Sequence, residues 1–177
     1  SLMYSLIEWF DATRDFLATG GPILTWIAWL MLFMWVLIIE RLIYLRTDHR
    51  KAIRHALGTW ESRTERASWN ARQIREAMIS RVKLSLTHPL SLIQTCVALC
   101  PLLGLLGTVT GMITVFDVMA VSGTGNARSM ASGVSMATIP TMAGMVGALS
   151  GVFAITWLNR KAEGEIESLK DNMTMDH

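Results

Sequence analysis

Three stretches of the chain carry no Asp, Glu, Lys or Arg: Phe16 to Ile39, Leu84 to Phe116 and Ser129 to Asn159. Each exceeds the ~20 residues a helix needs to cross the hydrocarbon core of a bilayer. They predict transmembrane helices at 22–45, 91–120 and 131–159. Around them the pattern changes to helical periodicity. Leu2, Leu6, Trp9, Phe10, Thr13 and Leu17 recur at helical spacing, with Glu8, Asp11, Arg14 and Asp15 between them. Segment 1–21 therefore reads as an amphipathic helix lying along the outer membrane surface, with Gly20, Gly21 and Pro22 as the break before the first span. In segment 46–90, Ile53, Leu57, Trp60, Ala67, Ala71, Ile74 and Met78 form a 3–4 repeat, the seam of helices packing on helices. The first span is expected to run on as helix to about residue 60, followed by a turn near 61–69 and a second helix rising into the next span. The 121–130 link, VSGTGNARSM, reads as a tight turn outside the membrane. The tail 160–177 reads as a continuation of the third helix, with Glu163, Glu165, Glu167 and Lys170 solvated.

The fold class that follows is an all-α membrane protein: three transmembrane helices with long cytoplasmic helical extensions. Composition supports this, since only 17% of the 177 residues are charged, against roughly 25% in soluble chains. Asp11 and Asp15 precede the first span where a cleaved leader would be basic, and no small-residue cleavage site follows it. Orientation comes from the basic residues. Arg46, Arg50, Lys51, Arg54, Arg63, Arg66, Arg72, Arg75, Arg81 and Lys83 crowd the first link, whereas the second has only Arg128. The positive-inside rule puts 46–90 and the C-terminal tail in the cytoplasm, and the N-terminus and the 121–130 link outside. The net charge of +2 points to no particular partner, and no nucleic acid is expected.

Enzyme chemistry finds little support. The spans hold no His, no Lys and no paired carboxylates; His49, His55, His88 and His177 read as surface groups. Cys96 and Cys100 share a helix face, but no second ligand pair is visible, so they read as small apolar packing residues. No metal and no cofactor are expected. Glu61, Arg63, Glu65 and Arg66 read as a solvated mixed-charge surface, and Glu40 and Arg41 as snorkelling heads at the inner end of the first span.

The polar and small residues inside the spans carry more information. Gly104, Gly107 and Gly111 in the second span, and Gly144, Gly147 and Gly151 in the third, are spaced so that helix backbones approach closely in lipid. Thr108 and Thr110 lie at mid-depth in the second span, as do Thr138 and Thr141 in the third. Two roles are open to them: bonding a carbonyl one turn back in their own helix, or lining a polar path for ions or protons. Pro140 withdraws a backbone donor and frees the carbonyl of Met136, as in a gate, a pore wall or a static bend. Asp117 is the one acid in the apolar part of the last two spans, either functional or a helix-end residue that meets water or Arg128.

The strings CPLLGLLGTVTGM (100–112) and MASGVSMATIPTMAGMVGALSGVFAITWLNR (130–160), joined by a Gly/Ser-rich turn, resemble the ExbB/TolQ/MotA family of proton-channel proteins, and within it the ExbB branch of TonB energising systems. The resemblance is strong over roughly 90–160; before that only span order and topology agree. It implies a bacterial inner-membrane homopentamer whose second and third spans line a central pore around the transmembrane helices of ExbD. The ExbD span would carry the proton-accepting aspartate, and TonB would pass work to outer-membrane receptors for siderophores or cobalamin. The family's pore threonines map onto Thr108 and Thr141. Met136 departs from the pattern, since several relatives carry an acid there. The rivals are a TolQ-like subunit of a cell-envelope motor and a non-conducting three-helix membrane scaffold. The short cytoplasmic segment disfavours a MotA-like flagellar stator.

Overall fold

A computed structural model describes residues 2–19, 21–123 and 127–175, without the side chains of 16–19, 122 and 129. Gly20, the centre of the outer link at 124–126 and His177 lie outside the described residues, as does the Leu17 side chain. The described chain is all helical: α1 (Leu2–Thr19), α2 (Gly21–Arg46), α3 (Asp48–Glu61), α4 (Trp69–Ser122) and α5 (Ala127–Asn172). Three of these, α2, α4 and α5, are long and apolar enough to cross a membrane. Gly21 opens α2 at φ 78° and Gly123 closes α4 at φ 74°, the left-handed conformation that glycine adopts without steric cost. Pro22 sits in the first turn of α2, where its missing N–H would have had no helical partner.

Two compact units form, and α2, α4 and α5 contribute to both. The first contains the chain up to Met34 together with Cys96–Ser150. Its interior is built from Leu24, Ile27 and Met34 of α2, Cys96, Cys100 and Val115 of α4, and Ala137 and Pro140 of α5. Large apolar side chains elsewhere point outward: Leu102, Leu105 and Phe116 on α4, Met145, Val146 and Leu149 on α5, and Trp26 and Trp29 on α2. A surface of this composition suits lipid or another apolar surface better than water. The α1 side chains described up to Asp15 are all exposed.

The second unit holds Trp35–Thr95 and the chain from Gly151 onward. Its core joins Ala56 and Trp60 of α3, Ala71, Ile79, Val82 and Leu86 of α4, and Ala162, Ile166 and Leu169 of α5. The expected seam is corrected in part: Ala67 and Ile74 are exposed, and Ile79 and Val82 take the buried face of α4. The Trp60 indole donates to the Thr174 carbonyl at 2.8 Å, and the Arg75 guanidinium donates to the carbonyls of Met173 and Lys170 at 2.8 and 2.9 Å. These donors satisfy carbonyls at the end of α5, which has no further turn to do so.

Sequence periodicity did not anticipate four local features. The helix leaving the first span does not continue unbroken to residue 60; it breaks at Thr47, whose hydroxyl donates to the Ile43 carbonyl at 2.8 Å. Such back-bonding by a β-branched residue bends a helix. Beyond the break His49 is buried, not at the surface, and its Nε2 lies 3.3 Å from a Glu165 carboxylate oxygen. Burial lowers the His49 pKa below the ordinary imidazole range, and the Glu165 charge opposes this only in part. Arg41 does not snorkel: it is buried, paired with Glu40 at 2.6 and 2.7 Å, stacked 4.3 Å from the Tyr44 ring centroid, and donates to the Ser85 carbonyl at 3.1 Å. Glu65 is a local staple, accepting from Ser68 Oγ at 2.6 Å and from the Ala67 amide at 2.8 Å. The Ser68 hydroxyl in turn accepts from the Ala71 amide at 3.1 Å and caps α4. The hydrogen bonds from Ser68 and Ala67 hold the Glu65 carboxyl below its ordinary pKa.

Candidate functional site

In the first unit, α4 and α5 meet through residues that have almost no side chain. A β-carbon on Gly104 would lie 3.0 Å from the Pro140 carbonyl oxygen and 3.1 Å from the Thr141 Cα. One on Gly107 would run into the Pro140 ring, and one on Gly111 would come within 2.5 Å of the Ala137 Cβ. From the other side, a β-carbon on Gly144 would strike the Cys100 carbonyl oxygen, and one on Gly147 would sit 2.8 Å from the Met31 sulfur of α2. Gly151, which belongs to the second unit, is also buried. Backbone therefore packs against backbone, the contact that small residues permit between membrane helices.

This close approach places two hydroxyls together. Thr108 donates to the Gly104 carbonyl in its own helix at 3.2 Å, and Thr141 reaches across from α5 to the same oxygen at 3.1 Å. Thr108 and Thr141 also lie in direct hydroxyl contact. Two hydroxyl protons serve three contacts here. At any moment one contact has no proton of its own, so either hydroxyl can accept from the other or from an outside donor. Both side chains are half-buried, which leaves such access. Each hydroxyl is therefore able to act both as a donor and as an acceptor.

The other threonines differ. Thr110 donates to the Gly107 carbonyl at 3.1 Å and Thr138 to the Ser135 carbonyl at 2.8 Å, both within their own helices. Neither shares the node at Gly104. Pro140 is fully buried with its ring against Gly107, one residue from Thr141. Met136 lines a cleft of about 180 Å³ with Gly111, Thr114, Val115 and Gly133, among others. Asp117 is exposed on α4 and forms no ion pair with Arg128 among the described residues. Cys96 and Cys100 are buried as free thiols. Among the described residues no cluster of three or more His, Cys, Asp or Glu is placed to hold a metal ion.

The pattern of the MotA/TolQ/ExbB proton channel family matches residues 45–171. The chain belongs to this family. Among curated relatives, the chain is 34% identical over 85 residues to the biopolymer transport protein ExbB of Helicobacter pylori, covering 48% of this chain and 59% of that one. It is 49% identical over 61 residues to biopolymer transport protein ExbB-like 1 of Synechocystis sp., covering 33% of this chain and 24% of that one. A second Synechocystis protein, ExbB-like 3, is 39% identical over 62 residues, covering 34% and 30% of the two chains. The matches thus span between a quarter and three fifths of the relatives' lengths. Membership of a proton channel family gives the paired hydroxyls a chemical context that their geometry alone does not supply.

Proposed function

We propose that the chain is the stator and proton-path subunit of a TonB-type energising system in a bacterial inner membrane. The observation that carries this reading is the node of Thr108, Thr141 and the Gly104 carbonyl. The apolar part of the second and third spans holds one acid, Asp117, nine residues along α4 from Thr108, so an acid beside the paired hydroxyls would come from a partner. An ExbD-like transmembrane helix bearing an aspartate fits that need. Five copies of this chain would form a ring, with the second and third spans around the partner. A protonated aspartate beside Thr108 and Thr141 would donate to a hydroxyl oxygen, whereas its ionised form would be disfavoured by the surrounding low dielectric. One proton crossing 100 mV supplies about 2.3 kcal/mol, so a few protons would drive a conformational step. TonB would carry that work to outer-membrane receptors for siderophores or cobalamin.

The topology that goes with this reading has the N-terminus periplasmic and the C-terminus cytoplasmic, and is supported by the ten basic residues between Arg46 and Lys83. The amphipathic α1 would lie on the periplasmic face. Thr110 and Thr138 are proposed as flanking pore residues, subordinate to the Thr108–Thr141 pair. Gly104, Gly107, Gly111, Gly144, Gly147 and Gly151 are proposed as packing residues and Pro140 as the wedge that sets the register.

The test is proton uptake into liposomes holding the chain co-purified with its ExbD-like partner, with native mass measured on the same sample. Thr108→Val and Thr141→Val should each abolish uptake while leaving a pentamer with partner bound. Full uptake in both variants would defeat the pore assignment. A monomer or dimer holding partner one to one would favour the non-conducting scaffold. Restoration of a cell-envelope phenotype without restoration of TonB-dependent uptake would favour TolQ-like work.

A further inference from the structure

The second unit contains a cleft that the proton path does not use. It lies between α3 and α4 and measures about 290 Å³, close to the size of small-ligand sites. Ala52 and Ala56 on α3 and Met78 and Val82 on α4 give it apolar walls. The small alanines are what hold it open. His55 and Arg81 supply its charged or chargeable groups, and no carboxylate lines it. The Thr59 and Ser85 hydroxyls also line it, but their protons are committed to the carbonyls of His55 and Val82 at 2.9 and 2.8 Å.

Arg81 is exposed and makes no hydrogen bond or ion pair among the described residues. In the same unit Arg41, Arg66 and Arg75 all donate to backbone or carboxylate oxygens. The Arg81 guanidinium therefore has its whole fork of donors free beside an apolar hollow. Such a fork matches two oxygens of a phosphate or carboxylate. The position along the chain narrows the choice. The uncharged run of the second span begins at Leu84, three residues beyond Arg81, so the two share a helix face. Leu84 is 59% exposed, and Leu92, two turns further on, is 47% exposed. A cation at the foot of an exposed apolar track is placed for a ligand with an anionic head and a hydrocarbon body.

We infer that the α3–α4 cleft is a binding site for one anionic phospholipid, its headgroup phosphate held by Arg81 with His55 beside it and its acyl chain laid along Leu84 toward Leu92. Arg50, Lys51 and Arg54 on exposed positions elsewhere around α3 add a basic field near the cleft that draws anionic headgroups to this part of the chain. The inference does not depend on proton conduction. It requires only that α4 meets the membrane surface near Leu84, where its uncharged run begins, seven residues before the span expected at 91–120.

The test uses the full chain reconstituted in nanodiscs of phosphatidylcholine or of an equimolar mixture of phosphatidylcholine and phosphatidylglycerol. Native mass spectrometry then counts phosphatidylglycerol retained after mild delipidation. Wild type should retain it over phosphatidylcholine, and Arg81→Gln should reduce that preference about fivefold or more. Arg81→Lys should keep much of it, since a point charge still attracts phosphate. Ala52→Phe, which fills the apolar hollow and leaves Arg81 in place, should also lose the lipid. Arg72→Gln, an exposed basic residue of α4 outside the cleft, should change nothing. Equal retention in Arg81→Gln and wild type would overturn the site. So would an effect of Arg72→Gln as large as that of Arg81→Gln, which would mean diffuse charge attraction. Displacement of the lipid by millimolar inorganic phosphate, or binding unaffected by Ala52→Phe, would show a phosphate site that does not recognise lipid.

Discussion

The hydroxyl of Thr141 on α5 donates to the carbonyl of Gly104 on α4 at 3.1 Å, the same oxygen that receives Thr108. That bond exists because the Gly104 carbonyl is reachable from the opposing helix. A β-carbon at residue 104 would lie 3.0 Å from the Pro140 carbonyl oxygen and 3.1 Å from the Thr141 Cα, inside van der Waals contact. Packing and hydroxyl chemistry are therefore one feature. Serine keeps the hydroxyl and drops the methyl, so Thr141→Ser should preserve most proton uptake, whereas Thr141→Val should remove it. Uptake by co-reconstituted liposomes at fixed membrane potential distinguishes the two. Equal loss in both variants would mean that the hydroxyl alone does not suffice and that the threonine methyl is required as well.

The glycines divide sharply by surroundings. Gly144→Ala drives a methyl into the Cys100 carbonyl, and Gly107→Ala drives one into the Pro140 ring. Backbone and a proline ring give way poorly, so each should cost about 1–3 kcal/mol. Among the described residues, Gly58 in α3 and Gly164 in α5 have nothing beyond their own helix within 4 Å of an added β-carbon. Alanine there should be neutral or stabilise by up to about 1 kcal/mol through helix propensity. Thermal unfolding in one detergent compares all four variants. Similar melting temperatures across the set would show that the α4–α5 contact is looser than described.

Acid should loosen the start of α3. His49 is buried and its folded-state pKa is lowered, with burial as the main cause. A lowered pKa means that the folded form prefers the neutral imidazole. The stabilisation is full above the ordinary histidine pKa of about 6.5 and is lost as pH falls through it toward the folded value. Its Nδ1 has no partner among the described residues, so the second proton of an imidazolium would find no acceptor there. Amide exchange across 48–61 should therefore quicken between neutral and mildly acidic pH, beyond the intrinsic pH dependence of exchange. In His49→Gln that extra acceleration should be absent. Its persistence in the variant would assign the effect to another group.

Trp60 ties α3 to the end of α5. Trp60→Phe keeps an aromatic ring in the core but removes the 2.8 Å bond to the Thr174 carbonyl. The cost should be about 1 kcal/mol, the usual net worth of one hydrogen bond. Trp60→Ala empties the site and should cost about 3–5 kcal/mol. Protease sensitivity near residue 170 reports both. If Trp60→Phe exposes that end as fully as Trp60→Ala, the indole hydrogen bond outweighs the packing.

Ser68 tests the cap of α4. Its hydroxyl accepts the Ala71 amide at 3.1 Å. Ser68→Ala should destabilise the first turn of α4 by about 1 kcal/mol, read as faster amide exchange at 71–73 with the rest of α4 unchanged. Unchanged exchange in that turn would mean that the Ser68 hydroxyl does not cap α4.

By itself the sequence determined that α2, α4 and α5 are helical and long and apolar enough to cross a membrane. Uncharged runs of that length leave the backbone no other way to satisfy its polar groups in lipid. It also marked the small residues and threonines, because such residues weaken a greasy helix unless something needs them there. Only the tertiary structure decided which threonines act together. Thr108, Thr110, Thr138 and Thr141 look alike in one dimension, and helix rotation and register put only Thr108 and Thr141 on the Gly104 carbonyl. It also decided that His49 and Arg41 are buried. Their neighbours, Glu165 and Ser85, lie 116 and 44 residues away, and no local periodicity carries a contact made across such a separation.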